Sequence, residues 1–261
     1  MSEVDEPHVP DLDALDDEED EDGRSPLALT LISVATTMAV ALIVVAVVLA
    51  VGRLSRTSDT VEQSFGLDPA EPLRLLVEGL DITVVPVGGS EVTVEAEVVG
   101  GWLDTTMTAK KHRGDIRVSA SCKGWLIPGC GGSVVIGVPA DTEFELATAG
   151  RDVVLDGVAG LVTVRSGGGD VRGEDLGVVD IGVTTSSGDV DLGFSIQPFG
   201  VKAITGSGDV AVSLPPGDIA YAVDATSESG TVDNQVPDGG DEAVGFLLSE
   251  SQSGDIELVS R

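Results

Sequence analysis

Through the last two-thirds of the chain, apolar or small residues alternate with polar ones, and the alternation breaks repeatedly at Ser-Gly-Asp or a close variant. Residues 181–192, IGVTTSSGDVDL, show the unit in full. Take the residue before the Asp as the reference position. It is Leu80, Gly114, Arg151, Gly169, Gly188, Gly208, Gly230 and Gly254 in successive copies. The next column reads Asp81, Asp115, Asp152, Asp170, Asp189, Asp209, Thr231 and Asp255. The column after that is apolar and β-branched throughout: Ile82, Ile116, Val153, Val171, Val190, Val210, Val232 and Ile256. Seven positions before the reference stand Leu73, Met107, Phe144, Val162, Ile181, Val201, Val223 and Leu247. Four after it, the column is apolar except at Gly173 and Asn234.

Side chains two apart on a strand share a face, so these columns line one interior. Gly at the reference position permits positive φ at a tight corner, and Asp beside it can bond its own backbone. Each copy therefore predicts strand, corner, strand. From the third copy onward the interval is 18 to 24 residues, a spacing typical of stacked repeats, in which neighbouring units bury one another's apolar faces. The two earlier intervals are nearly double, which predicts extra strands near residues 91–99 and 133–138. Residues 247–259 are expected to close the array. A β-sandwich with many glycine turns would also alternate, but agreement of the columns across the copies favours an all-β, solenoid-like stack resembling a β-helix.

Ahead of the repeats the pattern changes twice. Residues 1–23 hold twelve acidic side chains and no Lys or Arg; charge this dense opposes collapse and predicts a disordered tail. Residues 27–52 carry no charge over 26 positions, long enough for one helix across a bilayer. A cleaved signal peptide would need a basic leader, where this chain has an acidic one. The expected organisation is an acidic tail (1–24), a transmembrane helix (25–52), a linker (53–69) and the β-repeat domain (70–261).

Arg24 precedes the apolar run, while Arg53 and Arg56 follow it, and counting positive charges alone would put the repeats in the cytoplasm. The cysteines point the other way. Cys122 and Cys130 are the only two, separated by a Gly- and Pro-containing turn that can bring them together. A structural disulfide belongs to an oxidising compartment. Weighed above a one-charge difference, the pair places the protein in the cell membrane as a single-pass chain, N-terminus cytoplasmic and repeats extracellular.

The net charge of −31 argues against nucleic acid as a partner. Acid excess extends beyond the tail: residues 57–261 hold 33 acidic and 11 basic side chains. A salt-loving source and an Asp-rich genome would both produce it. Zinc would need more ligands than two cysteines supply, since His8 and His112 are the only histidines. Gly167–Asp170 is similar to a calcium β-roll turn, but the period is twice too long; stacked carboxylates as loose cation ligands and plain solvated turns both remain open. No GxSxG with a later His, Walker loop or HExxH is present. No catalytic, cofactor or metal residues are expected, and the chain is read as a non-enzyme. Trp125, between the cysteines, is expected to pack on the bridge, and Trp102 is the only other tryptophan.

The corners Ser187-Gly188-Asp189-Val190, Ser207-Gly208-Asp209-Val210 and Ser253-Gly254-Asp255-Ile256, with the preceding apolar run and a Cys-x-x-Trp segment, resemble a bacterial putative-adhesin, toastrack-type β-repeat family. The likeness covers roughly residues 71–261. It implies an all-β domain at the cell envelope and supplies no catalytic residues. The expected function is adhesion or envelope scaffolding, with membrane lipid around one helix and an envelope protein or glycan as partner. The alternative implied by the resemblance is an accessory or sensory component of an envelope-stress pathway, the acidic tail contacting a cytoplasmic partner.

Overall fold

The computed structural model describes residues 57–67, 72–100, 105–112, 114–122, 131–140 and 142–260, all within the unit Gly52–Arg261. The expected tail and transmembrane helix lie outside the described residues, as does Cys130 and with it the expected disulfide. Among the described residues no helix is long and apolar enough to cross a membrane.

The regular structure of the described residues is β-strand apart from one 3-10 turn at Gly240–Glu242. In order the strands are β1 (Thr57–Gly66), β2 (Leu73–Glu78), β3 (Asp81–Val87), β4 (Glu91–Gly100), β5 (Thr105–His112), β6 (Asp115–Cys122), β7 (Gly131–Pro139), β8 (Phe144–Thr148) and β9 (Val153–Asp156). There follow β10 (Ala159–Ser166), β11 (Val171–Thr185), β12 (Val190–Phe194), β13 (Gly200–Ser207), β14 (Val210–Leu214), β15 (Tyr221–Ser227), β16 (Val232–Asn234), β17 (Gly245–Ser253) and β18 (Ile256–Ser260).

The chain winds as a flattened coil. Each rung gives one strand to each of two facing ladders, joined by a Gly-Asp corner. The first ladder runs β3, β9, the start of β11, β12, β14, β18, β16, all parallel, and aligns Ile82, Val153, Val171, Val190, Val210, Ile256 and Val232. The second runs β2, β8, β10, the end of β11, β13, β17, β15 and aligns Leu73, Phe144, Val162, Ile181, Val201, Leu247 and Val223. From Ile82 to Ile256 the first column is buried. The core is mostly stacked Val, Ile and Leu, with Phe144, Phe194 and Tyr221 as its buried aromatics; each such aliphatic side chain contributes roughly 1.5–3 kcal/mol on burial.

Four departures from the sequence pattern are informative. First, Met107, Gly114, Asp115 and Ile116 do not form a rung. They belong to an antiparallel hairpin, β5 with β6, in which Met107 faces Ala120 and His112 faces Asp115. Ile116 is buried, but beside Leu75 of the second ladder rather than below Ile82. A hairpin with a Gly corner has the same period-two signature as a rung, so spacing alone does not separate them.

Second, the copies do not stack in chain order. β17 and β18 pair with β13 and β14, while β15 and β16 pair on their outer side. The chain skips one level, forms the last rung, and returns to fill the gap. Connections 215–220 and 235–244 supply the length for this. Residues 247–259 therefore form the penultimate rung, and Val232, assigned to the core by its column, is 42% exposed because no further rung covers it.

Third, Gly173 interrupts the apolar column because β11 bulges after it. Asp175 adopts φ 51°, Leu176 turns inward and is fully buried, and its side chain occupies the space a Cβ at Gly173 would take. Fourth, residues 57–66, within the stretch expected as a linker, form β1 antiparallel to β4; Phe65 packs against the core. The extra strands are β4 and β7, which pair antiparallel and place β7 against β3.

Candidate functional site, the acidic corner ladder

The Gly-Asp corners form one continuous edge of the stack, and two features tie each corner to the next. The first is close approach. A Cβ on Gly188, Gly208, Gly254 or Gly230 would overlap the main-chain carbonyl of Gly169, Gly188, Gly208 or Gly254, respectively. Gly188 and Gly208 also have φ of 124° and 146°, but at every one of these positions it is the neighbouring rung that excludes a side chain.

The second feature is a chain of carboxylate bonds. The Asp170 N–H donates to Asp152 Oδ1 at 3.0 Å, Asp189 N–H to Asp170 Oδ1 at 2.9 Å, and Asp209 N–H to Asp189 Oδ1 at 2.8 Å. The Asp255 N–H donates to Asp209 Oδ1 at 2.7 Å, and Thr231 closes the series by donating its N–H (2.8 Å) and its hydroxyl (2.9 Å) to Asp255 Oδ1. In return, the N–H of Val171, Val190 and Val210 donates to the carbonyl of Asp189, Asp209 and Asp255, each at 2.8 Å. The carboxylates thus do not bond their own backbone, contrary to the expectation drawn from the sequence pattern. Each accepts the amide of the rung above, which the corner has turned away from any main-chain carbonyl; an ionised acceptor makes such a bond stronger than a neutral one.

Thr231 stands where the other copies have Asp, and it lies on the last rung, with no amide above it to receive. Asp81 lies at the other end of the column, where Ile82 N–H donates to Asp152 O at 2.8 Å and the Arg151 guanidinium lies 3.7 Å from the Asp81 carboxylate. Asp115, in the β5–β6 hairpin, is outside the ladder. Asp255 is the corner whose carboxyl is held below its ordinary range, by the backbone and then the side-chain bond from Thr231.

Behind the carboxylates runs a column of hydroxyls that the apolar columns do not reveal: Thr148, Ser166, Thr185, Thr205, Ser251 and Ser227, three positions before the reference. Thr185 donates to Ser187 O at 2.9 Å, Thr205 to Gly188 O at 3.0 Å, Ser251 to Gly208 O at 2.9 Å and Ser227 to Gly254 O at 2.7 Å. The last three reach across rungs. Polar residues recurring at an inward position were the available signal.

A pocket of about 300 Å³ lies at the opposite, bend side of the final rungs, lined in part by Gln197, Tyr221 and Asp238. The Tyr221 hydroxyl donates to Pro198 O at 2.6 Å, and burial pushes its pKa up to about 12. It is a structural anchor, neutral at physiological pH. His112 is exposed at the end of β5. Among the described residues no group of three or more His, Cys, Asp or Glu is arranged to hold a metal ion.

The toastrack DUF4097 family model matches residues 103–258 of this chain. The chain belongs to the toastrack DUF4097 family. Two crystal structures are similar to it: a putative cell adhesion protein from Clostridium sporogenes, 13% identical, covering 78% of this chain and 100% of that one with a TM-score of 0.40; and a putative adhesin from Bacteroides fragilis, 12% identical, covering 77% and 97% with a TM-score of 0.45. No curated protein matches the chain.

Proposed function

We propose that this chain is a non-catalytic, surface-displayed β-solenoid acting in adhesion or envelope scaffolding, held in the cell membrane by residues 25–52 with the β-domain outside. The corner ladder carries the reading. It presents one carboxylate per rung from Asp152 to Asp255 along a stiff, exposed edge, at about the 4.8 Å strand spacing. A fixed row of like charges suits a partner that repeats along its length, such as an envelope polymer or an extended cationic segment of an envelope protein. Membership of the toastrack family supports it, as do the uncharged run at 27–52 and the cysteine pair.

Cells carrying the full chain should retain purified envelope fractions, and replacing Asp170, Asp189 and Asp209 together with Asn should lower that retention while leaving the fold intact by circular dichroism. Equal retention by the two chains would remove the ladder from the account. Orientation is tested separately with a membrane-impermeant maleimide on intact cells: labelling that requires prior reduction fits an external, bridged Cys122 and Cys130, whereas labelling that requires lysis alone would put the β-domain in the cytoplasm.

A further inference from the structure

The second ladder ends in two edges of opposite charge. At one end lies β5, which pairs only with β6 among the described strands. Its exposed positions include Lys110, Lys111 and His112, and Arg117 of β6 stands opposite Lys110. At the other end lies β15, paired through its length only with β17, with a bridge to Asp238 at Tyr221. Its exposed positions carry Asp224, with Glu228 just beyond and Glu250 opposite Thr226. The polarity extends further: from residue 203 to 260 the chain holds eleven acidic residues and no Lys or Arg.

Both edges keep the alternation of the ladder. Met107 and Ala109 on β5, and Val223 and Ala225 on β15, pack against the core, while Thr106, Thr108 and Lys110 on one and Ala222, Asp224 and Thr226 on the other face outward. Unpaired strand edges are templates for a further strand. β5 runs antiparallel to the ladder, so β15 of one copy would meet β5 of the next as an antiparallel pair. With Lys110 opposite Asp224, that register sets Thr108 against Thr226 and Ala109 against Ala225, inward facing inward and outward facing outward. Opposite charges and Thr–Thr pairs are favourable cross-strand partners. The first ladder offers no such match: its edges, β1 and β16, carry Asp59 and Glu62 at one end and Asp233 at the other.

We infer that the β15 edge of one copy docks on the β5 edge of a second copy of this chain, continuing the second ladder from molecule to molecule. The contact is heterologous, so it propagates rather than closing as a dimer. It does not depend on the adhesive function proposed above. Net acidity opposes it at long range, but at physiological ionic strength that repulsion is screened over about 8 Å, leaving the facing pairs to decide.

The test is sedimentation velocity on the full chain in detergent at physiological salt, with wild type, Lys110→Glu, Asp224→Lys and the double variant. Wild type should form concentration-dependent species larger than dimers. Each single reversal should raise the midpoint concentration about tenfold or more, as expected for like charges facing across an interface. The double variant should restore assembly, which also controls for folding. Mixing the two singles should also restore species larger than dimers, because the Asp224 edge of Lys110→Glu meets the Lys110 edge of Asp224→Lys, and the two reversed edges pair with each other as they do in the double variant. Wild type that stays monomeric to several hundred micromolar, assembly indifferent to the reversals, or wild-type assembly that stops at a dimer would each overturn the inference.

Discussion

On the corner side of the stack, Gly188, Gly208 and Gly254 each lie against the carbonyl of the rung below, and each Asp amide is bound by the carboxylate of that same rung. On the opposite side every crossing differs. The chain turns through Gly157 and Val158, through the bulge at Asp175 and Leu176, through the loop before Phe199, or through Pro215 and Pro216. What these bends share is only that an apolar side chain such as Val158 or Leu176 plugs the core. From Asp152 onward, two constraints linking each rung to the next impose one short motif on the corners. A single demand, to fill space, leaves the bends free in length and sequence. The chain uses that freedom to skip a level and return.

Inserting one Gly after Asp189 should break both inter-rung bonds and shift Val190 out of the core, at a cost of about 4 kcal/mol or more. The same insertion after Gly240, where a Cβ would meet nothing, should cost about 1 kcal/mol or less. Chemical denaturation of both chains checks this; similar losses would erase the distinction between the two sides. Leu176→Ala should cost about 2–5 kcal/mol, as a bend residue whose whole contribution is packing. Gly188→Ala should cost about 2–3 kcal/mol through overlap with Gly169 and the positive φ, while Gly182→Ala, with open space at its Cβ, should fall within about 0.5 kcal/mol of wild type. Asp189→Ala should cost about 1–2 kcal/mol by leaving the Asp209 amide without its acceptor.

The smallest effect concerns pH. The folded pKa of Asp255 lies below its ordinary value of 3.8. Its bond to Thr231 therefore stabilises the fold above that ordinary value, and the contribution fades as pH falls through the depressed folded value. Between pH 5 and pH 3, Thr231→Val, which removes the hydroxyl bond and keeps the larger backbone one, should reduce part of the acid-induced loss in thermal midpoint; an unchanged slope would show that the hydroxyl bond does not contribute.

How much of this was legible follows from what period two encodes. It reports which side chains share a face, so the columns through Val153, Val171, Val190, Val210 and Ile256 could be read directly, and the ladders place them together. It carries no information on which strand lies beside which. The hairpin at Gly114 therefore passed as a rung, and the exchange of the last two levels was invisible. Acceptors were equally hidden. Asp209 binds an amide 46 residues further along the chain, and a corner Asp that bonds its neighbour has the same sequence as one that bonds itself. Thr231 breaks the column for a reason visible only in the stacking order. In sequence it belongs to the second-last copy, but in space it belongs to the last.

The most direct measurement is amide hydrogen exchange by NMR on wild type and Asp189→Ala. If the ladder is as described, the Asp189, Asp209 and Asp255 amides are protected in wild type despite their exposed corners. In the variant the Asp209 amide alone loses protection, while the amide of residue 189 keeps its bond to Asp170. Loss of protection at residue 189 with Asp209 unchanged would mean that each carboxylate serves its own turn, and the rung-to-rung ladder would be contradicted.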